Sequence, residues 1–155
     1  MDKSDNSLKL NKGRFDYSAY YPSKLIDVAK EYEKVIDGEI KVAMGQPHIL
    51  IESLSKAIRV KAEFCDEFRP LIKEHKEVVE KWLKSFGYGK YTGIFQSEIK
   101  VKEDGIEYWL PIQEQLIPFL QKEIHPNEIT EFYIVYYGAY NYDHVFVINE
   151  FRKIK

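Results

Sequence analysis

A chain of 155 residues that is 45% hydrophobic and 31% charged has the balance of a folded domain able to bury its own core, which excludes a wholly disordered chain. Its formal net charge of -2 exerts no long-range pull on nucleic acid or anionic lipid. Cys65 is the single cysteine, so neither an intrachain disulfide nor a cysteine-built zinc site can form within one chain.

Residues 1–20 are read as a polar, flexible arm. The arm lacks the apolar stretch of a signal peptide, and no run of about 18 apolar residues follows that would span a membrane. The expected location is cytoplasmic; the alternative is the mature part of an exported or tethered protein whose signal is missing from this chain.

Residues 21–87 are read as helical. Leu25, Ala29, Tyr32 and Ile36 recur at spacings of three and four, which predicts a helix with Ser23 as N-cap, ending near Asp37 before Gly38. Glu39 to Met44 alternates weakly, as a small strand or a loop. From His48, the positions Leu50, Leu54, Ala57, Ile58, Phe64 and Phe68 fit a second helix. Pro70 is placed in the first turn of a third, whose stripe of Leu71, Ile72, His75, Val78, Val79, Trp82, Leu83 and Phe86 closes at Gly87.

The composition changes at Gly87-Tyr88-Gly89, and 13 of the 23 aromatic residues lie from Tyr91 onward. Residues 88–155 therefore read as strand-rich and are expected to share one core with the helices. Tyr91 to Val101 and Ile106 to Ile112 are predicted strands, joined through Asp104-Gly105, a pair suited to a tight hairpin because glycine tolerates positive φ. Pro118 interrupts an apolar stretch, so a helix is expected to start near Ile117. Ile129 to Tyr137 and His144 to Phe151 form a second hairpin with a longer loop.

The expected fold is α+β: about three N-terminal helices against a four-to-five-stranded twisted antiparallel sheet. A helix between two hairpins resembles the order of a small OB-like barrel, although four strands leave it one short.

Chemistry-bearing motifs are sparse. His48, His75, His125 and His144 lack metal-ligand spacing. His75 sits on an apolar stripe, where a hydrogen-bonded structural histidine is the favoured reading. The glycine-rich segment from Gly87 to Gly93 leaves a helix and enters a strand, the reverse of phosphate-cradling loops, and reads as a hinge. Cys65 reads as a small buried hydrophobe. No cofactor motif is present and none is expected.

Asp143 and His144 adjoin Tyr140 and Tyr142, but neighbours on a strand point to opposite faces and do not converge for acid-base work. The run from Phe132 to Tyr137 is aromatic on both faces. One face suits a core; the other is either covered by a helix or is an exposed platform.

These features favour a noncatalytic binding or protein-interaction module, with Tyr136, Tyr137, Tyr140, Tyr142, Asp143 and His144 as binding residues and an unknown protein or small ligand as partner. Single-stranded nucleic-acid binding by an OB-like barrel is the second reading, disfavoured by charge. A small enzyme with a site at the helix-sheet junction is the third.

Overall fold

Ile58, Val60, Ala62 and Phe64 alternate with Arg59, Lys61 and Glu63, and that two-residue period decides the architecture. In the computed structural model, which describes residues 15–41 and 44–154, this segment is strand and not the expected second helix. A short strand β1 (Tyr21–Pro22) and helix α1 (Leu25–Ile40) lead into β2 (Ile49–Pro70), a 22-residue strand. Its register breaks between Ile51 and Lys56 and again between Phe64 and Phe68, where Asp66 takes a φ of 55°. Such breaks bend a long strand, so β2 serves two neighbours: β5 along its first part, β3 along its last.

Helix α2 (Lys73–Ser85), strands β3 (Ser97–Glu103) and β4 (Ile106–Ile112), helix α3 (Ile117–Glu123), and strands β5 (Ile129–Tyr140) and β6 (Asp143–Lys153) follow. The sheet order β1-β2-β3-β4-β6-β5, with β2 also paired to β5, closes β2-β3-β4-β6-β5 into a five-stranded barrel. All barrel pairings are antiparallel except β4 with β6. The α+β fold is thus an OB-like barrel with a helix between its hairpins, and β2 supplies the strand the sequence reading lacked.

Boundaries differ for local reasons. Ser23 does not cap α1: its amide is held by the Arg59 carbonyl, and the amide of Leu25 donates instead to the Glu103 carboxylate at 2.8 Å. Gly38 lies inside α1, and the segment from Glu39 to Met44 falls partly in this helix and partly outside the described residues. Pro70 ends β2 rather than opening α2. Gly87, at φ 80°, ends α2 as expected, but a 3-10 turn over Gly89–Ile94 occupies the start of the predicted strand. Asp104 and Gly105 take φ values of 52° and 80°, the geometry of a tight hairpin turn.

The second hairpin turns on Asn141 and Tyr142 alone. Gly138, expected in a loop, lies within β5 at φ 147°, where a β-carbon would stand 1.8 Å from the Leu50 carbonyl oxygen. Only glycine fits this close approach of two strands.

Two cores result. Inside the barrel, Ile58, Val60, Phe64, Ile99, Leu110, Phe132, Ile134, Tyr136 and Phe146 pack with Leu25 and Val28 of α1 and Leu120 of α3. Outside it, Tyr133, Val135 and Tyr137 of β5 and Val145 and Val147 of β6 pack under Val78, Val79, Trp82 and Leu83 of α2. Residues 1–14 of the expected arm lie outside the described residues; Phe15 and Tyr20 join this outer core. Among the described residues no helix is long and apolar enough to cross a membrane.

Candidate functional site

The seam between β4 and β6 carries the most developed site. Tyr108 and Leu110 turn toward the barrel interior, so Glu107 and Trp109, which alternate with them, lie on the outer face. Lys100 is directly opposite Trp109 on β3 and shares that face. Strands β4 and β6 pair only where Ile112 faces Ile148; Ile106 to Pro111 find no partner residue in β6. Beyond that pair, the two strands border a pocket of about 290 Å³. Arg69, His75, Trp109, Tyr142, Asp143 and His144 are among its walls.

A buried ionic chain frames the pocket. His75, near the start of α2 and 3% exposed, bonds Glu98 on β3 through Nδ1 at 2.7 Å and Asp143 on β6 through Nε2 at 2.8 Å. Glu98 is fully buried and accepts from Arg69 Nε at 2.6 Å and Nη2 at 2.5 Å. The Arg69 guanidinium lies 4.1 Å from the centre of the Trp109 ring, a cation-π contact. Burial alone pulls the His75 pKa down, but the bonds to Asp143 and Glu98 overcome it and raise the value to about 9. His75 is therefore an imidazolium with both nitrogens engaged, and it fastens α2 across β3 and β6.

His144 behaves oppositely. Burial lowers its pKa; Nδ1 pairs with the Tyr136 hydroxyl at 2.8 Å, while Nε2 is buried with no partner among the described residues. The Tyr136 ring stacks on Tyr32 of α1. Asp143 points outward to His75 and His144 inward to Tyr136, so adjacent strand positions do diverge as expected.

The predicted binding residues separate into two groups. Tyr136 and Tyr137 are fully buried, which corrects the expectation that they present rings to solvent. Tyr136 fills the barrel interior; Tyr137 is covered by α2 and stacks on Trp82 with ring centres 3.9 Å apart. Tyr140 is half-buried against the outer core. Tyr142 is 49% exposed, with its hydroxyl bonded to Asp37, and lines the seam pocket with Asp143 and His144. His75 is the hydrogen-bonded structural histidine expected on its apolar stripe, whereas Arg69, Glu98 and Trp109 were not expected at a site. Their one visible signal was the alternation through β3 and β4, which sets Glu98, Lys100, Glu107 and Trp109 on a single face.

Among the described residues, no group of three or more His, Cys, Asp or Glu side chains is arranged to hold a metal. Comparison with known proteins finds no matching family model, curated protein or solved structure. The chemistry of the seam therefore rests on its own residues.

Proposed function

We propose that the protein is a noncatalytic binding module that takes an extended segment of a partner protein at the seam between β4 and β6. The observation carrying this reading is the single pairing at Ile112 and Ile148, beyond which β4 has no strand partner on its β6 side. An incoming peptide supplies main-chain groups to such an edge and places alternate side chains into neighbouring pockets. Trp109 and Tyr142 offer rings at the pocket, and aromatic side chains give large contact area at low entropy cost. With both nitrogens of His75 bonded to carboxylates, its role in this reading is to position α2 and not to move a substrate proton.

Extended peptides selected from a display library against the full chain test the proposal. Trp109→Ala and Tyr142→Ala are expected to weaken a selected peptide by at least about tenfold, roughly 1.4 kcal/mol, while leaving the melting temperature nearly unchanged. Failure to select any peptide, or affinity untouched by both substitutions, contradicts it.

A second reading draws on Arg69 at 4.1 Å and Lys100 at 5.8 Å from the Trp109 ring. Cations from the first and second barrel strands beside an aromatic ring on the third suit single-stranded nucleic acid. Glu98 neutralises Arg69, and Glu67 and Glu107 neutralise Lys100, which places this reading second. Oligonucleotide binding that weakens steeply with salt and disappears with Trp109→Ala would favour it over the peptide.

A further inference from the structure

On the outer face of β2, β5 and β6, next to the start of α1, lies a cleft of about 620 Å³, larger than the seam pocket. Four cationic side chains line it, Lys24, Arg59, Lys61 and Arg152, against two carboxylates, Glu103 and Glu131. We propose that this cleft binds a small organic phosphate, a site independent of the seam.

The strand register builds the charge array. Lys61 stands opposite Glu131, and Glu131 opposite Arg152, so the three form a row across β2, β5 and β6. Arg59 lies two residues before Lys61 on the same face, about 7 Å along the strand.

Both carboxylates are already committed. Glu103 accepts the Leu25 amide at 2.8 Å, and Glu131 accepts from the Tyr133 hydroxyl and from Arg152 at 3.3 Å. Lys24 pairs with Asp104 at 2.5 Å. Arg59 and Lys61, by contrast, show no side-chain hydrogen bond or ion pair among the described residues, and Arg59 acts on Glu131 only through its charge.

Arg152 is also held in place. Its guanidinium lies 4.8 Å from the centre of the Tyr17 ring and 5.6 Å from that of Tyr133. A fixed guanidinium loses little freedom on binding, and its planar fork matches phosphate oxygens two at a time. Arg59 supplies a second fork and Lys61 a point charge. Four cationic side chains on one face, two of them without a bonded partner among the described residues, in a chain of net charge -2 are what single out the cleft. Its volume leaves room for more than a phosphate group, which points to a phosphorylated organic molecule.

Calorimetric titration of the full chain with pyrophosphate, ADP and citrate at low salt tests the assignment. The expected result is saturable one-to-one binding of ADP and pyrophosphate, tighter than citrate. A double variant, Arg59→Gln with Lys61→Gln, is expected to lose about tenfold or more in affinity with an unchanged melting temperature, and Trp109→Ala to lose nothing. Lys61 is exposed and Arg59 partly so, which keeps the fold out of the readout; Lys61→Gln alone, expected to weaken ADP, gives a milder check. Equal binding of citrate, no binding of either phosphate, or affinity unaffected by the double variant overturns the proposal. So does binding seen only with oligonucleotides and growing with their length, which would make the cleft a nucleic-acid surface.

Discussion

The imidazole of His75 bridges Glu98 on β3 at 2.7 Å and Asp143 on β6 at 2.8 Å, joining two strands that are not neighbours in the barrel. This bridge makes stability depend on pH in a defined window. The folded-state pKa of about 9 lies above the ordinary 6.5, so the stabilisation is complete below pH 6.5 and is lost as pH rises through about 9. The difference corresponds to roughly 3 kcal/mol. His144, whose pKa is lowered by burial, loses stability in the opposite direction, on acidification, and leaves this window clear. Thermal melts between pH 6.5 and 9 should show a falling melting temperature, and His75→Gln should flatten that slope. A wild-type profile flat across the window contradicts the imidazolium assignment.

Arg69→Ala removes both guanidinium bonds to Glu98, a carboxylate with no solvent exposure. Leaving a buried charge short of a partner costs about 3–5 kcal/mol. Because Glu98 keeps its bond to His75, the lower end is expected in chemical denaturation. A loss below about 1 kcal/mol, typical of an exposed pair, would show the chain to be dispensable.

The contact between Trp82 and Tyr137 separates packing from polarity. Trp82→Ala opens a cavity over Tyr137 and should cost about 3–5 kcal/mol. Tyr137→Phe should do the reverse. Its hydroxyl is buried with no partner among the described residues, so deleting it removes an unmet desolvation cost of about 1–3 kcal/mol and leaves the variant as stable as the parent or more so. Equilibrium unfolding measures both, and a destabilised Tyr137→Phe variant would reveal a partner for that hydroxyl.

Gly138→Ala should be the most damaging small substitution in the barrel. The added carbon meets the Leu50 carbonyl oxygen at 1.8 Å, at a φ of 147° that residues with side chains rarely adopt. A loss above about 2 kcal/mol in denaturant unfolding is expected, with weakened pairing of Leu50 and Ile51 to β5 visible by amide exchange.

These sites differ in how far the sequence disclosed them. The Asp104-Gly105 turn, the helix beginning at Ile117 and the two C-terminal strands were legible because turn chemistry and alternation act over a few residues. Strand β2 was not. Its apolar residues also satisfy helical spacing at Leu50, Leu54, Ala57 and Ile58, and only the charged residues Arg59, Lys61 and Glu63 between them betray the two-residue period. Gly138 resembled loop punctuation, yet close strand contact requires it. The site was half legible: Tyr142, Asp143 and His144 were singled out from one loop, whereas Arg69, His75, Glu98 and Trp109 come from four other elements and meet them only in the closed barrel. Tyr136 and Tyr137 were misplaced because an aromatic strand face reads the same whether a helix covers it or water does.

Amide hydrogen exchange by NMR, with and without a selected peptide, tests the seam most directly. New protection is expected at the β4 amides between Ile106 and Leu110 that face β6, with little change at the pairing of β2 with β5. Protection confined to another surface, or none in β4 at saturating peptide, would contradict strand addition at this edge.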